Sequence, residues 1–137
     1  MSVVIDASAT LAWIYPDETT APIQFVFEKV IEEDARVPAL WRIEIGNSLL
    51  WGIKRGRTTH ARRDLALADL TSLPIFEDDE TGLHAWEGSL ALADKHRLTL
   101  YDATYLELAL RLSLPLATLD EDLRKAAQNE AVELLGK

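Results

Sequence analysis

The sequence predicts an α/β fold, a three-layer α/β/α sandwich around a mostly parallel central sheet. Short apolar runs alternate with longer amphipathic segments along all 137 residues, which is the pattern of strands connected by helices. The connections are short, without internal repeats or long Pro/Gly linkers, and this favours right-handed crossovers with helices on both faces of the sheet. Since 48% of the residues are hydrophobic, residues 1–137 are expected to form one compact domain.

The N-terminal half opens with a strand and a helix. Residues 3–5 are β-branched and end in Asp6, and Ser8 is predicted to cap a helix that stops before Pro16. The further elements predicted in this half are a helix over 23–33, a strand over 35–37, a helix over 41–55 ended by Gly56, a helix over 59–70 and a strand over 74–76.

The C-terminal half is predicted to contain helices over 84–96, 103–112 and 120–128 and strands over 115–119 and 131–135. In the helix over 103–112, one narrow stripe is expected to face water, and it comprises Thr104, Glu107 and Arg111. Asp102 lies nearly opposite that stripe, toward protein, where an unpaired charge is costly. Asp102 is either the N-cap of this helix or part of a functional cluster, and its position alone leaves both open.

Composition excludes several kinds of site and partner. The chain has no Cys, which removes disulfides, thiolate metal sites and Cys nucleophiles and suits a reducing cytoplasm. The first residues lack the features of a signal peptide, and no apolar run reaches membrane-spanning length. A formal net charge of −9 argues against a broad basic surface and suits a cation or a basic partner. We therefore expect a soluble cytoplasmic protein with no membrane contact.

Acidic residues directly follow two of the predicted strands. In parallel α/β sheets the site lies beyond the carboxyl ends of the strands, near the point where strand order reverses. Asp6 follows the first strand and Asp120 follows the strand over 115–119. A turn or cap role explains either one alone, but together with Asp102 they would gather carboxylates at one edge of the sheet. Glu44 lies on a polar helix face that a solvated surface explains, and helical periodicity gives no evidence that it is a ligand.

The order of these residues resembles the PIN-domain family, in particular the VapC-type toxins of bacterial and archaeal toxin–antitoxin pairs. The resemblance covers nearly the whole chain and rests on four acidic positions in the right order. They occur in Val4-Ile-Asp6-Ala-Ser8, in Glu44 with Asn47 after Val37-Pro38, in Tyr101-Asp-Ala103 at the start of an apolar helix, and in Thr118-Leu-Asp120 after a strand.

The resemblance implies a site, a reaction and partners. It implies that Mg²⁺ or Mn²⁺ is bound for RNA cleavage by Asp6, Glu44, Asp102 and Asp120. Polar positions that support such a site are matched by Ser8, Asn47 and Thr118, with Asp122 as a second acid beside Asp120. It further implies a homodimer and an inhibitory antitoxin, and therefore the toxin of a type II toxin–antitoxin pair.

The chemistry of these residue types agrees with a hard cation. Ionised carboxylates in one cleft repel each other unless protons or cations neutralise them. Oxygen ligands without Cys or a His pair favour Mg²⁺ or Mn²⁺ over Zn²⁺. Such an ion activates water and neutralises charge on a phosphodiester, and the expected substrate is single-stranded or looped RNA. An antitoxin is expected to insert an Arg or Lys among the carboxylates while its apolar helix fills a groove between helices.

The densest basic stretch spans residues 54–63 and begins on the helix that carries Glu44. Its candidates for contact with the RNA backbone are Arg55, Arg57, Arg62 and Arg63. An ordinary solvated surface explains each of them individually. The four tryptophans are expected to be mainly core or interface anchors, with base stacking as a minority role, and the three histidines show no paired spacing.

Other enzyme classes fit the sequence poorly. A haloacid-dehalogenase-like phosphatase needs Asp-x-Asp after the first strand, where this chain has Ser8, and the acidic pair and late Lys of a receiver domain are missing. No Gly-rich phosphate loop, nucleophile elbow or dinucleotide fingerprint occurs. The serious alternative is a non-catalytic binding module that acts through a protein partner, and metal-dependent RNA cleavage distinguishes it from a nuclease.

Overall fold

Five short strands form the central sheet of the computed structural model, which describes residues 1–137. In chain order they are β1 Val3–Ile5, β2 Ala35–Val37, β3 Ile75–Glu77, β4 Leu116–Ala117 and β5 Leu134–Leu135. Their order across the sheet is β3-β2-β1-β4-β5, and all neighbouring strands pair in parallel. The predicted α/β fold is therefore confirmed, although β4 and β5 are shorter than the predicted strands.

Helical segments fill every connection between the strands. In chain order they are α1 Ala7–Ile14, a 3₁₀ turn Pro16–Glu18, α2 Ala21–Glu32, α3 Trp41–Lys54, α4 His60–Ser72, α5 Thr81–His84, a π turn Ala85–Ser89, α6 Leu90–His96, α7 Leu100–Leu112 and α8 Glu121–Asn129. Right-handed crossovers place α1 to α4 on one face and α5 to α8 on the other, and α7 packs against both α6 and α8. None of these helices has the length and apolar character needed to cross a membrane.

The centre of the sheet is the first strand, whose three residues are completely buried. Val4 pairs with Arg36 of β2 on one side and with Leu116 of β4 on the other. The chain runs outward from β1 through β2 to β3 and then returns to the opposite side of β1. Strand order therefore reverses between β1 and β4, and the crevice beyond their carboxyl ends is where α/β folds place their sites.

The structure corrects two predicted helix caps. Asp6, not Ser8, caps α1, because the Asp6 carboxylate accepts a hydrogen bond from the Ala9 N–H at 2.9 Å. Thr99, not Asp102, caps α7, and its hydroxyl oxygen accepts from the Asp102 N–H at 3.1 Å. Each helix begins one or more residues earlier than predicted, since the periodicity of apolar residues does not mark the first turn. The cap explanation of Asp102 is therefore wrong.

The helical wheel predicted that the polar stripe of α7 faces water, and the structure shows that it does not. Thr104 and Glu107 are only 6% and 7% exposed. The Arg111 guanidinium donates to Glu107 Oε1 at 2.7 Å and to Asp78 Oδ2 at 2.6 Å, which ties α7 to the segment after β3. The wheel identifies a polar face but cannot show that a distant carboxylate and the helices before α7 cover it.

The predicted helix over 84–96 begins earlier, at Thr81, and is interrupted by the π turn. The π turn packs directly against α7. A Cβ atom at Gly88 would lie 3.4 Å from Glu107 Cγ, so the two helical segments approach closely at this point. Turns of this kind occur as single interruptions of α-helices, and the apolar spacing in the sequence does not reveal them.

Candidate active site

The first acidic residue of the site lies at the carboxyl end of the central strand. Asp6 follows β1, is 4% exposed, and its N–H donates to the Ala117 carbonyl of β4 at 3.1 Å. Its carboxylate accepts hydrogen bonds from Thr118 Oγ1 at 2.5 Å and from Ser8 Oγ at 2.7 Å, in addition to the cap bond. These four hydrogen bonds hold the Asp6 N–H and carboxylate in place, and two of them are made to residues more than a hundred positions away.

Burial raises the pKa of Asp6 from 3.8 to about 6, although hydrogen bonds from Thr118, Ala9 and Ser8 act in the opposite direction. Repulsion from Asp102 raises it further. A buried carboxyl that meets another negative charge is favoured in its neutral form. The metal-free site therefore disfavours its own ionised state, which a cation would reverse.

Asp120 reaches the same edge from the other strand. It follows β4 after Thr118 and Leu119, and it caps α8 by accepting from the Leu123 N–H through Oδ2 at 2.8 Å. Its own N–H donates to Thr118 Oγ1 at 3.0 Å. The fully buried Thr118 hydroxyl therefore connects the two acids that follow β1 and β4. Both acids are helix caps, as their positions in the sequence allowed, but the caps lie side by side.

Asp102 lies in the first turn of α7 and is half-buried. Burial is the main cause that raises its pKa, followed by repulsion from Asp120 and then from Asp122. Asp102 also raises the pKa of Glu44 after the larger effect of burial there. The carboxylates therefore repel one another across this edge of the sheet, with Asp102 as the residue that all the others share.

Glu44 enters the site from α3, and a tyrosine holds it there. Tyr105 is buried on α7, and its hydroxyl donates to Glu44 Oε1 at 2.5 Å. Burial and the adjacent Glu44 carboxylate keep the pKa of Tyr105 well above its usual range, so the phenol remains a donor. Sequence reasoning missed Tyr105. Its spacing of three residues from Asp102 on the same helix was the available signal, since residues at that spacing share a face.

The supporting residues predicted from the resemblance divide into two groups. Ser8 and Thr118 lie within the hydrogen-bond network, where Ser8 Oγ also accepts from the Leu119 N–H at 2.9 Å. Asn47 and Asp122 are exposed, and Asp122 acts on the site through its repulsion of Asp102. The network that orients Asp6 thus comes from residues directly after β1 and β4.

The donor set suits a hard divalent cation. All four acids contribute only oxygen atoms, which is the ligand type of Mg²⁺ and Mn²⁺. As the side chains stand, no group of three or more acidic or imidazole side chains is close enough together to hold one ion. The acids therefore fit such an ion by ligand type and charge, and their side chains would have to come closer together to share one.

The basic candidates are less free than the sequence indicated. Arg57 contacts Asp17 at 2.9 Å and Glu18 at 2.7 Å, and Arg63 contacts Asp64 at 3.0 Å. Exposed positions on the same stretch are Arg55 and Arg62. The two acids of the 3₁₀ turn thus pair with Arg57. The sequence did not predict these ion pairs, because the partners are about forty positions apart.

The four tryptophans divide between core and surface. Trp13 stacks on Phe27 with ring centroids 4.6 Å apart, and the buried Trp41 donates its indole N–H to Thr10 Oγ1 at 3.1 Å. Trp51 is 50% exposed and Trp86 is 85% exposed. The expected core role therefore holds for the first two, while the other two present aromatic surface.

A parallel sheet with Asp6 and Asp120 directly beyond the two strands at its reversal point defines an α/β domain with an acidic edge. The PIN domain family model matches residues 3–129, and the chain belongs to this family. It is 31% identical over 131 residues to Ribonuclease VapC3 of Pyrobaculum aerophilum, which covers 90% of this chain and 92% of that relative.

Solved structures with the same fold support this assignment. PAE2754 from Pyrobaculum aerophilum superimposes with a TM-score of 0.70 and 26% identity, covering 98% of this chain and 83% of that one. A toxin-antitoxin complex from Klebsiella pneumoniae contains a chain with a TM-score of 0.56 and 18% identity, covering 88% of each chain. The second likeness concerns the fold alone.

Proposed function

We propose that this chain is a Mg²⁺- or Mn²⁺-dependent endoribonuclease and the toxin of a type II toxin–antitoxin pair. The observation that carries the proposal is that Asp6 and Asp120 follow the two strands between which strand order reverses, while Asp102 repels Asp6 and Glu44 and is itself repelled by Asp120. The acids proposed to hold the ion are Asp6, Glu44, Asp102 and Asp120. The 31% sequence identity of the chain to a protein named Ribonuclease VapC3 supports RNA as the substrate.

Each part of the site contributes a defined task to phosphodiester hydrolysis. A divalent ion bound there supplies a water of lowered pKa and neutralises charge on the scissile phosphate and the leaving oxygen. Thr118 and Ser8 hold the Asp6 carboxylate at the floor of the site. Tyr105 on α7 holds Glu44 by a hydrogen bond from its hydroxyl. Because these partners already orient the two carboxylates, little side-chain entropy remains to be lost when an ion binds.

Repulsion among the acids explains why the protein itself favours a cation. The pKa of Asp6, of Glu44 and of Asp102 is raised in each case first by burial and then, in part, by a neighbouring acid. A divalent cation held by these carboxylates would offset both penalties, since it would replace lost hydration and neutralise their mutual repulsion. The same charge excludes RNA phosphates from the metal-free site, which makes cleavage dependent on the ion.

An antitoxin and a second copy of the chain are the proposed protein partners. The acidic edge offers a binding site for an Arg or Lys of the antitoxin. Between α3 and α4 lies a groove of about 260 Å³ whose lining is mainly apolar and includes Leu67, Leu70 and Leu73, which suits an apolar helix. For a homodimer, Leu83 and Trp86 provide exposed apolar surface at 71% and 85% exposure.

Cleavage of RNA by the purified chain tests the proposal. A structured RNA with single-stranded loops is incubated with the protein in millimolar Mg²⁺, in Mn²⁺ and in excess EDTA. Cleavage is expected with either ion and not with EDTA. Asp102→Asn should abolish it, whereas the exposed Asp69→Asn should not. Full activity in EDTA refutes the metal-dependent mechanism, and no cleavage under any condition favours the non-catalytic module.

A further inference from the structure

A cavity of about 460 Å³ opens beside the acidic edge, between α1, α3 and the segment after β4. Its lining includes Ser8 and Asp120, so it is continuous with the candidate active site. Trp51, Arg55 and Arg57 also line it. A cavity of this size lies within the range of small-molecule pockets, and a chain of RNA that reaches the acids has room to place one base inside it.

The aromatic wall of the cavity is Trp51, which is not needed for the core. Half of its surface is exposed, whereas Trp41 on the same helix is buried and hydrogen-bonded. The Lys54 ammonium lies 4.8 Å from a Trp51 ring centroid, and the Arg55 guanidinium carbon lies 5.5 Å from it. Both cations lie over the half-exposed ring. A base that stacks on Trp51 would take the place of one of them, and the cations attract its phosphate.

The opposite part of the lining is built around Tyr15. Gly52 permits a close approach there, because a Cβ atom on Gly52 would lie 2.4 Å from the Tyr15 hydroxyl oxygen. The Arg57 guanidinium carbon lies 4.1 Å from the Tyr15 ring centroid, and Asp17 and Glu18 hold that guanidinium by ion pairs. This wall is therefore pre-organised, and its one guanidinium is outnumbered by two carboxylates, which leaves Arg55 as the cavity's available cation.

We propose that this cavity binds one unpaired base of the RNA substrate, stacked on Trp51, with an adjoining phosphate at Arg55 and the scissile bond at the Asp120 end. The inference rests on the proposed ribonuclease function and adds a nucleotide subsite to it. Base stacking on an exposed aromatic ring tolerates any base. Ser48, which also lines the cavity, provides a hydroxyl that can distinguish base edges.

The chemistry of the cavity favours a nucleotide over a segment of a protein partner. The chain carries a net charge of −9, yet cations are concentrated at this ring and not at the acidic edge next to it. A phosphate-bearing ring compound uses both features at once, since its base stacks while its backbone meets the cations. An antitoxin segment that inserts a positive residue among the acids would meet Arg55 as a like charge.

Binding is measured in the Asp102→Asn background, so that RNA is not cut during the titration. Single-stranded RNA that the wild type cleaves is titrated in Mg²⁺ by fluorescence anisotropy. Trp51→Ala should weaken binding about 5- to 150-fold, the range for loss of one stacked base, and Trp51→Phe should retain most of the affinity. Phe76→Ala is the matched control, because Phe76 is 49% exposed and has Arg36 beside its ring at 5.2 Å, but lies on β3.

An abasic scan identifies the base and separates stacking from general damage. Each nucleotide around the cleavage site is replaced in turn by an abasic one. At one position, the abasic RNA should bind the protein that retains Trp51 as weakly as intact RNA binds Trp51→Ala. The affinity of that abasic RNA should not fall further when Trp51→Ala is introduced. If Trp51→Ala does not fold, the same scan with Trp51→Phe serves, since the loss at that one position should be smaller than with tryptophan.

The outcomes separate this inference from the function it rests on. If the wild type cleaves no RNA, the proposed function fails first. If it cleaves RNA while Trp51→Ala binds as tightly as the control, the nucleotide subsite is refuted. Unchanged RNA binding by Trp51→Ala together with weakened binding of the antitoxin would reassign the cavity to the protein partner and equally refute the proposal.

Discussion

Replacing Asp6 by Asn is expected to make the metal-free protein more stable while it destroys the site. Asp6 is the most buried acid of the edge, and its pKa is raised from 3.8 to about 6. A carboxylate that is ionised at neutral pH against such a shift destabilises the folded state. The amide of Asn has nearly the same shape and carries no charge, so this penalty disappears in Asp6→Asn.

The magnitude follows from the shift and from the hydrogen bonds. A pKa raised from 3.8 to about 6 corresponds to about 3 kcal/mol in the free energy of unfolding above pH 6. The Asn carbonyl still accepts from Ala9 and Ser8, but its NH₂ group replaces the oxygen that accepts from Thr118, at a cost of about 1 kcal/mol. A net gain of about 2 kcal/mol remains at pH 7.5, which raises the Tm by roughly 6–10 °C.

The sign of the effect depends on pH in a defined way. Because the folded pKa of Asp6 lies above the unfolded one, the penalty is absent below pH 3.8, grows as the pH rises to about 6 and is constant above it. The stability gain of Asp6→Asn over the wild type should therefore be largest at pH 7.5 and fall to zero at about pH 4.5, where the remaining penalty equals the hydrogen-bond cost. Below that pH the variant should be the less stable protein, by up to about 1 kcal/mol. Titrations of all other groups occur in both proteins and largely cancel.

The assay is urea unfolding of both proteins in EDTA at several pH values between 4 and 8. The exposed Asp69→Asn serves as control and should follow the wild type throughout. In parallel, Mg²⁺ should stabilise the wild type and have little effect on Asp6→Asn, because ligand-induced stabilisation follows the affinity for the ion. An Asp6→Asn protein that is less stable than the wild type at pH 7.5, or a difference independent of pH, would refute the argument from burial and repulsion.

Three further perturbations test neighbouring parts of the site. Thr99→Ala removes a helix cap and should lower the free energy of unfolding by about 1 kcal/mol, while RNA cleavage is retained below the melting transition. Asp102→Asn should leave the metal-free stability equal or higher and reduce cleavage at least a hundredfold. Thermal melts in EDTA and cleavage assays on both variants test this, and equal behaviour of the two contradicts the assignment. Tyr105→Phe should raise the Mg²⁺ concentration for half-maximal thermal stabilisation about 10-fold or more by releasing Glu44, and an unchanged midpoint would make Tyr105 purely structural. Replacing all the basic candidates by Ala together should weaken RNA binding and flatten its salt dependence; the positions are Arg55, Arg57, Arg62 and Arg63. The measurement is RNA titration at several salt concentrations, and an unchanged slope would show that these residues do not contact RNA phosphates.

The sequence by itself determined the features that depend on local order. Short β-branched runs separated by helical patterns are sufficient to predict parallel strands, because parallel neighbours need long crossovers. For the same reason Asp6 and Asp120 could be placed at one edge of the sheet, since each directly follows a strand. Tyr101-Asp-Ala103 and the position of Glu44 acquired meaning only through the resemblance to the PIN-domain family.

The tertiary structure decided which distant residues meet. Thr118 hydrogen-bonds Asp6 across 112 positions, and Tyr105 reaches Glu44 across 61. Periodicity describes one face of one element, while the partner of that face depends on the order of strands in the sheet. The stripe of α7 shows the consequence most clearly. The helical wheel predicts that Arg111 faces water, but the fold places Asp78, 33 positions away, in hydrogen-bond contact with it. A buried charge is stable only beside its partner, and only the fold brings that partner near.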